Sequence, residues 1–520
     1  MEKAYITNKV RASVKWVLPF YLLTLLPLFT ACDDYLDVTP SDKQTAAQVF
    51  ASKEGFYTAA NGIYDALASN ELYGRQMTWE AMDLMAPSYV TSFSVQYMKS
   101  LAANSYSDAY AAPILSSIWA KAYEVIMNAN LLIDQIDQQQ GKLSTLEANC
   151  LKGEMLAVRA FLHLDMLRLF GPVPQLGLDK PAIPYNESSE VFVHDLLSVK
   201  ETGEKIIADL NAAEELLKND PIIENGPMMS EPEGAESVQM RYRQYRMNYY
   251  AVIALKARAY SWVCDSENAN TQAKRLVEDE KVQQMFPAVD PNKLLANSSN
   301  PDRVFSSEVF MGVYDKDRDQ VYESFFSSTA PAPMRLQTLS TYVTGNLGLF
   351  SHLLLGPETN DYRFQSQWEM ASGVGATGFS FIKFKPIDRP DQLDENSEYY
   401  YAKMIPLITM QEMYYILSEN GQTDMDKFNW YNKARMRRGL PDIEAMGMGP
   451  TFAMYWGYGY GGYFFDQEVR RETWGLGQYF FYAKHNQFYG EYGSYTPLGS
   501  GSGRTDAINV QPPLPTAEMK

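Results

Sequence analysis

Cysteine and histidine are scarce in this sequence. Three cysteines in 520 residues, Cys32, Cys150 and Cys264, are too few and too far apart for a disulfide framework. Cys150 and Cys264 read as two buried thiols. Four histidines, His163, His194, His352 and His485, argue against a His-rich metal centre. Positive charge is also in deficit: 45 Lys and Arg face 63 Asp and Glu, a formal net charge of −18. Binding to a phosphate backbone needs the opposite balance, so nucleic acid is not an expected partner. HExxH, GxSxG and CxxC are absent. Gly373 to Gly378 fits GxGxxG, but it precedes an alternating strand pattern, Phe379–Phe384, where a dinucleotide site requires a strand before and a helix after. It reads as a flexible loop. Asp315 to Asp319 opens like a calcium loop, yet Gln320 stands where Gly is needed and Phe326 where the bidentate Glu belongs. No metal or cofactor is expected. Paired carboxylates for glycoside hydrolysis stay open, because so many acidic residues generate pairs by chance.

The composition is globular, 46% hydrophobic and 21% charged. The length suits either several domains or one large fold of repeated units. The first residues read as an address. Lys3, Lys9, Arg11 and Lys15 face only Glu2, and an apolar run of about 14 residues follows from Trp16 to Phe29. That run is too short to span a bilayer comfortably and suits a signal-peptide core. It ends in Leu28-Phe29-Thr30-Ala31-Cys32, which is similar to a bacterial lipobox, so cleavage before Cys32 and acylation of its thiol are expected.

Helical periodicity dominates the rest. A helix is expected from Ser52 to about Leu67. Thr145–Phe170 is the clearest, with Leu151, Met155, Val158, Leu162, Met166 and Leu169 forming one apolar stripe and Gly171-Pro172 stopping it. Further helices are expected over Ile206–Leu217, Tyr249–Val263, a segment through Ala273 and Leu276, Ile408–Ser418, Phe428–Arg438 and Asp466 to about His485. Paired helices with short turns point to hairpin repeats of the tetratricopeptide type. Long loops interrupt them at 75–115, 220–245, 285–400 and 443–465, and loops of this length are usually functional.

These loops are rich in rings, in a chain with 36 Tyr, 25 Phe and 8 Trp. Tyr89, Phe93, Tyr97, Tyr106 and Tyr110 share one loop with Asn104. Tyr314, Tyr322, Phe325, Phe326, Tyr342 and Trp368 lie in a second, and Met454 to Tyr463, with Trp456, forms a third. Any single ring reads more readily as a loop anchor packed on the helices. As sets they suit the C–H face of a sugar, a peptide or a protein partner. The expected ligand residues are Tyr89, Phe93, Tyr97, Asn104, Tyr106, Tyr322, Trp368 and Trp456.

Several blocks, taken in order, resemble the SusD/RagB family of outer-membrane nutrient-binding lipoproteins. They are CDDYLDVTP from Cys32, FASKEGFYTAANGIYDAL (50–67), IWAKAYEVIMNANLLI with Trp119, Tyr123 and Asn130, and GEMLAVRAFLHLDMLRLFGPVP (153–174) with Arg159. RMNYYAVIALKARAY (246–260), PLITMQEMYYILSE (406–419), NKARMRRGL (432–440), EVRRETWGLGQYFFYAKH (468–485) and LPTAEM (514–519) complete the series. Thr409, Leu476, Tyr482 and His485 stand where the family usually has Arg, Glu, Asp and Arg. The resemblance implies an all-α fold: about four tetratricopeptide-like helix pairs with long irregular loops and minor β-strands. It implies a signal peptide over 1–31, a lipidated tether over 32–45 and a single domain over 46–520, with an N-terminal part to about 220 and a C-terminal part from about 285. It also implies a non-catalytic protein facing outward from the outer membrane on a lipid at Cys32. That protein binds an oligosaccharide and acts as a lid on a SusC-like TonB-dependent transporter. Family ligand sites draw on the regions that here are 75–115 and 285–400. A peptide ligand, as for some RagB-like members, a surface glycoside hydrolase and a purely structural subunit are the alternatives.

Overall fold

A computed structural model describes residues 46–86, 88–89, 94–139, 141–190, 195–227, 240–294, 300–338, 340–344, 348–352, 355–372, 378–387, 400–456, 461–486 and 511–515. Cys32, Phe93, the expected signal peptide and tether, and residues 373–377 of the glycine motif lie outside them. The chain forms two units, residues 1–55 and 56–520. The described part of the first holds a short helix, Ala46–Val49, and the opening residues of the next helix.

The second unit is built on helices α1 (Lys53–Leu67), α2 (Ala112–Gln138), α3 (Thr145–Phe170), α4 (Val199–Leu216), α5 (Tyr249–Trp262), α6 (Ser266–Val277), α7 (Met410–Glu419) and α8 (Asp424–Met436). From α2 to α8 each helix packs on the next, and this is the tetratricopeptide-like scaffold. Side-chain caps set the starts. Ser144 with Glu147, Ser198 with Glu201 and Thr423 with Asp426 form capping boxes, and Asn248, Asp265 and Thr409 cap α5, α6 and α7.

Helix α3 keeps the expected bounds but not the expected single apolar face. It is buried on nearly every side, Glu147, Glu154, Arg159, His163, Asp165 and Arg168 included. A buried charge is tolerated only when paired, and each of these is. Tyr57 and Tyr64, two turns apart on α1, donate to Glu147 (3.0 Å) and Glu154 (2.9 Å), two turns apart on α3. Tyr73 donates to Asp165 (2.7 Å), and Arg159 forks onto Asp209 with two bonds of 2.6 Å.

Three further expectations change. Helix α4 begins at Val199, not Ile206. Gly203 lies inside the added first turns, where a Cβ would be 2.9 Å from Val263 Cγ1, so the glycine permits close helix packing. The expected last helix is two, α9 (Gly461–Thr473) and α10 (Gln478–Asn486), separated where Gly475 and Gly477 adopt φ of 78° and 70°. Cys150 is buried, with its thiol pushed up to about 12 by burial, but Cys264 is exposed. Cys264 holds φ 62° at the end of α5. Its N–H donates to Ser261 and the next N–H to Tyr260, a Schellman turn that faces the residue outward.

The strands are short. β1 (Val309–Tyr314) and β4 (Met404–Thr409) pair antiparallel, with Gly312 opposite Pro406 and Tyr314 opposite Met404. β2 (Trp368–Met370) and β3 (Phe379–Phe381) pair likewise, with Trp368 opposite Phe381.

The long middle insertion is riveted to α8 and α9 by buried ions. Arg363 bonds Asp361 (2.6 Å), Glu468 (2.8 Å) and Glu472 (3.1 Å). Arg438 forks onto Glu308 (2.8 and 2.9 Å) and Glu472 (2.7 and 2.6 Å). Arg435 and Arg471 both hold Glu358. Bidentate geometry of this kind fixes orientation as well as charge.

Candidate functional site

The first two aromatic loops meet. Trp79 packs on Phe325 and Phe326 (ring centroids 4.7 and 5.6 Å), Phe326 on Phe381 (5.6 Å), and Phe381 on Trp368 (5.1 Å). Trp474, from the turn between α9 and α10, closes the cluster against Trp368 (5.1 Å) and Tyr89 (5.8 Å). Segments remote in sequence thus share one ring cluster.

Most of these rings are interior. Tyr89 and Trp368 are each 6% exposed and Tyr322 5%, so their faces are taken up by packing. The Tyr89 hydroxyl donates to the Trp79 carbonyl (2.8 Å) and approaches Asp83 (3.3 Å). Tyr106, 2% exposed, bonds Asn104 (3.1 Å), which is half-buried at φ 56°. Trp456 sits elsewhere, half-buried against Tyr431 and Phe465. Tyr97 is half-buried and lies at the cluster's edge.

That edge carries the polar chemistry. Glu80 is fully buried and accepts four hydrogen bonds: two from Arg75 (2.6 and 2.8 Å), one from Gln76 (2.7 Å) and one from the Tyr97 hydroxyl (2.7 Å). Arg75, 27% exposed, lies 4.8 Å over the Phe325 ring and 5.8 Å from that of Trp79. Burial lowers its proton affinity, but the hydrogen bond and charge of Glu80 outweigh that and leave it raised. Burial and then the Glu80 charge push the Tyr97 phenol up, so it stays a donor. Across the cluster Tyr322 reaches Glu369 (3.4 Å), itself paired with Lys385 (2.9 Å), and both ions are partly exposed. Arg75, Glu80, Glu369 and Lys385 carry no local sequence signal. Their spacings match no motif, and only the meeting of two loops assembles them.

Such an edge offers a ring, a fixed guanidinium and one carboxylate–ammonium pair, which suit a polyhydroxylated ligand. A family model for SusD-like proteins, described as starch-binding and associating with the outer membrane, matches residues 34–227. Over that stretch the chain is similar to SusD-like proteins. A SusD superfamily protein from Bacteroides fragilis superposes with a TM-score of 0.59 at 15% identity, over 91% of this chain and 98% of that one. A laminarin-binding SusD-like protein gives 0.56 at 14% identity, over 90% and 97%. These likenesses establish the fold. A curated SusD-like protein of Bacteroides ovatus is 28% identical over 182 residues, 33% of this chain and 31% of that one. The chain spans less than half the length of the curated relatives it matches. Thr409, Leu476, Tyr482 and His485, the four departures from the family pattern, all line one cavity of about 120 Å³.

Proposed function

We propose that this SusD-like protein is a cell-surface lipoprotein that captures an oligosaccharide and delivers it, as a lid, to a SusC-like TonB-dependent transporter, without chemistry of its own. Residues 1–31 are its signal peptide, residues 32–45 its tether and residues 46–520 its binding domain. The lipid on Cys32 is its outer-membrane anchor. Among the described residues no helix is long and apolar enough to cross a membrane. The laminarin-binding relative and a SusD-like carbohydrate-binding protein of Bacteroides vulgatus support the ligand class. The carrying observation is the Arg75–Glu80–Tyr97 set, a polar edge held rigid by a buried carboxylate. Rigidity limits the ordering cost of binding. Release to a transporter calls for modest affinity, and a micromolar constant corresponds to about −8 kcal/mol. The large buried carboxylates are clamped by arginines, which suits scaffold and not acid–base work.

An array of neutral glycans, followed by calorimetry on the best ligand, tests the reading. Arg75→Ala and Tyr97→Ala are expected to weaken binding about ten-fold, or about 1.4 kcal/mol each; the melting temperature changes little for Tyr97→Ala and falls for Arg75→Ala, which leaves the Glu80 carboxylate buried without its cation. Wild-type binding to a peptide pool, with no glycan bound, would replace the reading by a RagB-like one. Release of reducing sugar by the purified protein would make it a hydrolase. Cys32→Ser is expected to free the protein from membranes.

A further inference from the structure

Residues 241–246, Arg-Tyr-Arg-Gln-Tyr-Arg, form a turn far more firmly held than a connection requires. Arg243 is fully buried, forks onto Asp220 (2.9 and 2.8 Å) and also bonds Glu154. Gln244, also fully buried, donates to the carbonyls of Ser306 (2.9 Å) and Val309 (2.7 Å). Arg246 bonds Glu154 (3.2 Å) and Asn61 and lies 5.1 Å from the Tyr64 ring centroid. These anchors reach α1, α3, the segment before β1 and the turn after α4. Between them Tyr242 adopts φ 52° and ψ 45°, a left-handed conformation that costs a bulky side chain roughly 1–2 kcal/mol. Strain of this kind persists where surrounding contacts enforce it, and it clusters at binding sites.

The turn presents rings. Tyr242 and Tyr245 are half-buried, and Tyr314, at the end of β1, is 46% exposed, with its ring 5.7 Å from that of Tyr245 at 77°. Asn61 and Asp65 stand exposed on α1 opposite, flanking half-buried Tyr64. Together with Arg241, Arg246 and Val313 these residues line a pocket of about 400 Å³, within the range that small ligands occupy. The rings provide flat apolar area, and Asn61 and Asp65 provide directed donors and acceptors. Of the lining charges, Arg246 is paired with Glu154, and Arg241 and Asp65 are opposite in sign, so the lining does not call for an anion.

We propose that this tyrosine pocket is a second saccharide site, taking one or two neutral sugar residues independently of the Arg75–Tyr97 edge. It rests on the glycan-binding reading above. Because the turn is fixed before any ligand arrives, the rings need little reordering on binding.

The test compares the full chain with Tyr242→Gly, Tyr314→Ala and the double variant Arg75→Ala/Tyr97→Ala. Glycine at position 242 removes the ring and relieves the strain together, so the fold is expected to survive. The probes are an array of α-glucan, β-glucan, xylan, mannan and galactan oligosaccharides, with calorimetric stoichiometry on each ligand that binds. The expected result is two sites on the wild type for at least one oligosaccharide. The pocket variants lose one of them at least ten-fold, and the double variant retains it. One site, with pocket variants equal to wild type on every probe, overturns the pocket and leaves the glycan reading standing. No glycan bound by the wild type overturns both. Peptide-pool binding lost only in the pocket variants overturns the saccharide assignment.

Discussion

Arg438 is the most demanding test of how the aromatic insertion is held. It is 1% exposed and forks onto two carboxylates, Glu308 and Glu472. Burial pushes Glu472 up, and Arg438, Arg363 and Lys383 more than reverse this, holding it at about 2 against an ordinary 4.5. Such a shift corresponds to about 3 kcal/mol. Because the folded value is depressed, that stability is present above the unfolded value and is lost as pH falls through about 2. Arg438→Met removes the main counter-charge and leaves the burial. Glu472 retains Arg363 at 3.1 Å, and Glu308 retains Arg437 at 3.4 Å, so the network is weakened and not emptied. Removing one partner of a buried pair costs about 3–5 kcal/mol. With roughly 2.1 cal/mol/K per residue of unfolding entropy over residues 56–520, 4 kcal/mol lowers the melting temperature by about 4 °C. In the variant the folded Glu472 value moves upward, so its protonation relieves part of the penalty as pH drops. The two proteins converge only as pH falls from about 4.5 toward 2, so scanning calorimetry at pH 7 and pH 3.5 should show the larger deficit at pH 7. A deficit under about 1 °C, or one equal at both pH values, would refute the assignment.

Three other outcomes are expected. Asp83 lies in the ring cluster and accepts from the Gly475 N–H (2.8 Å), with its carboxyl raised by burial from 3.8 to about 7. Its raised folded value gives stability that is full below about pH 4 and lost as pH rises through 7, worth up to about 4 kcal/mol, so Asp83→Asn should flatten the melting-temperature profile between pH 5 and 8. Gly477 sits at φ 70°, where a Cβ would lie 2.4 Å from the Met77 carbonyl oxygen, and Gly477→Ala should cost at least about 2 kcal/mol in urea denaturation. In the native protein, maleimide followed by peptide mass mapping should label Cys264 readily and Cys150 only after unfolding.

Local chemistry wrote the scaffold into the sequence. Periodicity and stop signals marked α3 to the residue at both ends, and two separate periodic runs marked α7 and α8. Those signals act within a few residues of the structure they specify. Where a glycine's role depended on a distant neighbour, they misled. Gly475 and Gly477 divide α9 from α10 beside Phe381 and Met77. Helix α2 also went unassigned by spacing, because its first turn falls at the edge of an apparent loop.

The rings show the same division. Tyrosine and tryptophan in a loop read alike whether they serve a ligand or a core. Exposure was decided by contacts across the whole chain, as between Asp83 and Gly475, 392 residues apart. Composition and motif order determined a helical, acidic, ring-rich protein. Only the tertiary structure decided that Tyr89, Tyr322 and Trp368 became cement, that Arg75 and Tyr97 stayed at an edge, and that a strained turn beside α1 framed a pocket. Burial is a property of segments that meet in space, and no local pattern records which segments those are.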